Sequence, residues 1–157
     1  MIRLALSYAA LLLALQLPTG CAKADYVDLQ GTVTDTEDAK PEARSCDLRF
    51  PAHGLCASLV WKKAPAKNVD SPFTLSFWKE ANGPASANVK IDDALAVELW
   101  MDSMGHGSAP VEIAENTKTS NYDITRVMFI MAGDWSVRVT IGSGAEKERA
   151  ALYLLVP

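Results

Sequence analysis

From Leu55 onward, short apolar runs alternate with turn-rich breaks. "LCASLVWKK" gives way to "APAKNVDSP", "FTLSFWK" to "EANGPASANVKIDD", and "ALAVELWM" to the glycine loop "DSMGHGS". Then follow "PVEIA", "YDITRVMFIM", "WSVRVTI" and "RAALYLLVP", each bounded by polar or glycine residues. Several runs have period two. In "WSVRVTI", Trp135, Val137, Val139 and Ile141 share one face, and in "ALAVELWM" Leu95, Val97, Leu99 and Met101 do so. Side chains of a strand alternate between faces, so this pattern predicts half-buried antiparallel strands. None of these runs keeps helical periodicity over two turns. About seven such strands predict an all-β, immunoglobulin-like antiparallel β-sandwich occupying residues 46–157.

The stretch before it reads differently. "MIRLALSYAALLLALQLPTGCAKA" carries Arg3 and then an apolar run from Leu4 to Leu15, too short to span a bilayer and closed by turn and small residues. That is the pattern of an export signal over residues 1–20. "LPTGC" resembles a bacterial lipobox, with Cys21 as the residue that would be lipidated, although Pro18 stands where such boxes usually have leucine. The alternative is ordinary cleavage after "AKA", leaving Asp25 first. The lipoprotein reading puts the chain outside the cytoplasm, in the periplasm, held to a bacterial membrane by a lipid anchor. Residues 21–45 then form a tether, charged over "DTEDAKPEARS", in which "YVDLQGTV" has the pattern of an added edge strand.

Export changes the meaning of the cysteines. With Cys21 lipidated or removed, Cys46 and Cys56 remain as an even pair in an oxidising compartment, where a disulfide is the default. Two buried thiols or a cysteine metal site are the alternatives, but "CDLRFPAHGLC" does not have CxxC spacing. Charge adds little. Removing residues 1–20 takes away only Arg3, leaving 14 basic against 19 acidic residues, a net −5. No basic strip interleaved with aromatics suits nucleic acid.

The candidate chemistry lies in "LWMDSMGHGSAPVEI", where Met101, Met104 and His106 fall within six positions. Thioether sulfur is soft, neutral and needs no deprotonation, so methionine sites select Cu(I), and imidazole also suits copper. Zinc would want more cysteine, histidine or carboxylate than this loop offers. "VMFIMAGDW" supplies Met128 and Met131 before a glycine turn that a sandwich can bring to the same end. In a regular strand those two would face opposite ways, so only one can be a ligand. The structural alternative is that the methionines are flexible core filler, with Met101 continuing an inward row. His53, between the paired cysteines, reads as a loop residue. No GxSxG, HExxH, P-loop or dinucleotide motif is present. Asp102, Ser103 and His106 are too crowded in one loop for a catalytic triad. An enzyme is therefore not expected.

"MDSMGHG", then Tyr122, then "FIMAGDW" followed by an alternating strand, resembles the YtkA-like/FixH-like extracytoplasmic domain family over roughly residues 70–142. The resemblance implies an immunoglobulin-like sandwich associated with copper handling or with assembly of copper-containing respiratory oxidases. It places Met101, Met104, His106 and Met131 at the metal positions, and Phe129, Gly133 and Trp135 at structural ones. The resulting expectation is a Cu(I) carrier or buffer that passes copper to a receiving protein. The alternative is a structural or partner-binding sandwich without metal, including an assembly factor for a respiratory complex. Oxidase-assembly members usually carry a transmembrane anchor, whereas this chain begins with a signal only.

Overall fold

The period-two runs become two antiparallel sheets in a computed structural model that describes residues 44–157. The signal segment, Cys21, most of the tether and "YVDLQGTV" lie outside the described residues. One sheet holds β1 (Leu48–Phe50), β2 (Leu55–Trp61), β3 (Phe73–Lys79), β6 (Glu112–Asn116) and β7 (Asn121–Thr125), in the order β1-β2-β3-β7-β6. The other holds β4 (Leu95–Met101), β5 (His106–Gly107), β8 (Gly133–Ile141) and β9 (Glu148–Val156), in the order β5-β4-β8-β9. The seven strands expected from the pattern are β2, β3, β4, β6, β7, β8 and β9. Their arrangement, β2-β3-β7-β6 facing β4-β8-β9, is that of the two sheets of an immunoglobulin-like sandwich. The additional strands, β1 and β5, are three and two residues long, too short for any alternation to register in the sequence.

The inward rows meet in one core. Leu55, Ala57 and Leu59 of β2 and Phe73, Leu75 and Phe77 of β3 face Val97, Leu99 and Met101 of β4 and Trp135, Val137, Val139 and Ile141 of β8. Each large side chain moved fully out of water here contributes about 1.5–3 kcal/mol. Phe129 meets Trp135 edge-on with ring centroids 5.4 Å apart, an arrangement that the ring quadrupoles favour.

One expected strand is shorter than its apolar run. "YDITRVMFIM" is regular only to Thr125, because Arg126 takes a left-handed backbone (φ 59°) and the ladder stops. Beyond it the chain pairs singly, Met128 with Asp70 and Phe129 with Lys67, while the Val127 amide donates to Asp70 Oδ1 at 2.8 Å. The strand parity that would set Met128 against Met131 therefore does not apply. Both are half-buried in irregular backbone.

Cys46 and Cys56 are disulfide-bonded. The bond lies on the outer side of β2, since Cys56 alternates with the inward Leu55 and Ala57. Trp78, opposite Cys56 in register, is fully buried on that outer side with the Arg44 guanidinium 4.8 Å above its ring. Asp47, next to the staple, accepts the Leu59 amide at 2.8 Å.

Candidate metal centre

A tight hairpin joins β4 to β5. The Met101 carbonyl accepts the amides of Met104 (3.2 Å) and Gly105 (3.0 Å), and Gly105 turns the chain with φ 68°, a conformation natural to glycine. The return strand places His106 directly opposite Met101 and Gly107 opposite Trp100. Gly107 is demanded by packing. A Cβ there would lie 2.9 Å from the Leu99 carbonyl oxygen and 3.2 Å from Cε3 of Trp100. The glycines that frame His106 thus serve the hairpin, one by conformation and the other by close approach.

Directly opposed residues of an antiparallel pair share a face, with Cβ atoms about 4.5–5.5 Å apart. Met101 and His106 are therefore neighbours on the inward side of the second sheet. Met101 is 4% exposed and belongs to the core, whereas Met104, at the hairpin tip, is 60% exposed. His106 is half-buried between them in accessibility, with Nδ1 3.3 Å from the Gly107 carbonyl oxygen. A proton on Nδ1 donates to that carbonyl and leaves the Nε2 lone pair for a metal.

β8 brings the last residue of the set to this end. Gly133 opens β8, and a Cβ built on it would lie 2.9 Å from the terminal methyl of Met101, so the Met101 side chain reaches across to Gly133. Met131, two residues earlier, packs against the core, and its carbonyl accepts the Trp135 indole N–H at 2.9 Å. The four residues singled out in the sequence thus belong to one end of the sandwich at three depths. Met101 is in the core, His106 and Met131 are half-buried, and Met104 is at the surface.

The donor set at this end is thioether and imidazole. Among the described residues no three His, Cys, Asp or Glu side chains gather where they could hold an ion. Such a donor set fits soft Cu(I) and offers little to zinc or harder ions. Asp102 is committed elsewhere. Its carboxylate accepts the Ser136 hydroxyl at 2.9 Å and pairs with the Arg138 guanidinium, which lies 4.8 Å above the Trp100 ring. These bonds tie Asp102 to the outer row of β8, whereas His106 lies opposite the inward Met101. The Trp100–Arg138–Asp102 cluster has no motif of its own in the sequence. Its signal was the alternation itself, which puts Trp100 on the outer row of β4.

The second histidine has a structural partner. His53, in the turn Pro51–His53, lies with Nδ1 2.7 Å from Oε2 of Glu148, while the Ala52 amide donates to Glu148 Oε1 at 3.2 Å. Burial alone would raise the Glu148 pKa, but the hydrogen bonds from His53 and the Ala52 amide outweigh it and hold the carboxyl below its ordinary value. Glu148 is 95 residues away in sequence, so nothing local to "FPAHGLC" foretells the pair. No family model, curated protein or solved structure matches this chain, and the family resemblance rests on the residues quoted for it.

Proposed function

We propose that this protein is an extracytoplasmic Cu(I) carrier or buffer, lipid-anchored through Cys21, whose metal ligands are Met104, His106, Met131 and Met101. The observation that carries the reading is the hairpin register, which sets His106 beside Met101 and leaves Met104 exposed at the tip. A surface thioether can take an ion from solution or from a donor protein, and the half-buried imidazole and deeper thioethers then complete a soft coordination shell. A half-open site of this kind also releases its ion to a receiving protein, since one ligand is always accessible to the acceptor. Copper here is cargo. The chain's own residues supply softness, a neutral charge and a rigid hairpin.

Anaerobic titration of the purified protein with Cu(I) against a competing chelator tests this. The expected result is one ion bound per chain, with affinity at least about 10-fold weaker in Met104→Leu, by analogy with the loss that follows even removal of a group that only orients a ligand. Inability of the parent protein to compete with the chelator would end the copper reading.

A second reading has its own support. The outer side of the second sheet presents Trp100 under Arg138, with Tyr153 51% and Leu155 63% exposed on β9. Tryptophan, tyrosine and arginine dominate binding hot spots, and this face suits a partner-binding or assembly role without metal.

A further inference from the structure

We propose that Met104 is a peroxide-sensitive site whose oxidation disables the hairpin without unfolding the domain. Thioether oxidation needs an approach to the sulfur lone pair. That pair attacks one oxygen of hydrogen peroxide, the O–O bond breaks and an S–O bond forms. The departing hydroxide takes the remaining proton and leaves as water, so sulfur loses two electrons and the peroxide gains them. Among the methionines of the sandwich, access is graded steeply. Met104 is 60% exposed at a hairpin tip, Met128 and Met131 are half-buried, and Met101 is 4% exposed with its methyl turned towards Gly133.

The consequences differ as steeply. A sulfoxide at Met101 would place a polar S=O inside the hydrophobic core, which destabilises it. A sulfoxide at Met104 points into water and leaves the packing alone. The hairpin is held by backbone bonds to the Met101 carbonyl and by the packing of Gly107, none of which involves the Met104 side chain. What the sulfoxide removes is the soft sulfur donor. This loss of binding rests on the copper reading, whereas the selectivity of oxidation does not.

The test treats the purified full chain with hydrogen peroxide, quenches it at intervals and maps oxidised peptides by mass spectrometry. Met104 should gain oxygen on the order of 10-fold faster than Met101, in line with their exposures. The protein oxidised only at Met104 should keep the parent melting temperature. Cu(I) affinity should fall by at least about 10-fold on that oxidation, and peroxide should have no such effect on Met104→Leu. Equal oxidation rates at Met101 and Met104, or a lower melting temperature with Met104 alone oxidised, would overturn the proposal. Failure of the untreated protein to bind Cu(I) would remove the copper reading while the oxidation rates still decide the site.

Discussion

Met101 and Met104 are three residues apart and do opposite work. The first is a core residue that a ligand set would borrow; the second contributes almost nothing to packing. Stability should separate them. Met101→Ala removes a buried side chain and should cost about 2–5 kcal/mol, depending on how far Gly133 and Trp135 can settle into the space. Met104→Ala should stay within about 0.5 kcal/mol of the parent, as exposed substitutions usually do. Urea unfolding of the two variants measures both, and a large loss from Met104→Ala would mean the tip packs against something. The sequence made this cluster visible through residue type, and strand parity already assigned Met101 inward. It could not give the depth of each residue. Exposure at Met104 depends on the left-handed turn at Gly105, and the place of Met131 depends on a backbone that leaves the strand at Arg126. The contact of Met101 with Gly133 is a tertiary fact with no local signature.

At the scale of elements, β4, β7 and β8 were legible because inward rows alternate with more exposed ones over five or more residues, while β6, exposed along its whole length, was marked only by the turn residues around "PVEIA". β1 and β5 were not legible, being shorter than the pattern needs, and β7 was overextended because "VMFIM" is apolar without being a ladder. The pairing of Cys46 with Cys56 was legible from the cysteine count and the expectation of export. Its place was not, since only the register of β2 with β3 sets Cys56 beside Trp78 on the outer side. The staple holds the segment carrying Arg44 and Asp47 against β2, where Asp47 accepts the Leu59 amide. Closing a loop of this separation stabilises by about 2–3 kcal/mol in the chain-entropy account. The native protein should show no reactive thiol at either position before reduction. Reduction should lower its melting temperature, and the fluorescence of Trp78 should shift if the Arg44 segment leaves its ring. Labelling of Cys46 and Cys56 in the unreduced protein would refute the bond.

Across the whole molecule, the two histidines stand at opposite ends of the second sheet. Glu148 pairs with Ile141, which pairs with Leu95 at the start of β4, whereas His106 pairs with Met101 at its end. Six residues of strand separate those rows, roughly 20 Å. The Glu148 pair and the hairpin therefore do not touch. The Glu148 carboxyl is held below its ordinary value of 4.5 by His53 and the Ala52 amide, against the upward push of burial. A lowered carboxyl contributes stability that is fully present above its unfolded pKa and is lost as pH falls through the lower folded value. Asp123 acts in the same direction, lowered from 3.8 first by the hydrogen bond from Lys62 and then by that from Thr74. The domain should thus hold its stability down to about pH 4.5 as far as these groups decide it, and weaken below. Glu148→Gln removes one of them, so its stability should be lower than the parent's near neutrality and should fall less steeply with acid, converging at the lowest pH. Its Cu(I) affinity should match the parent's, because the substitution lies roughly 20 Å from the hairpin. Denaturant unfolding across pH 3–7, set beside chelator competition on the same variant, measures both. A Glu148→Gln protein whose copper binding moved with its acid stability would show that the two ends are coupled through the core.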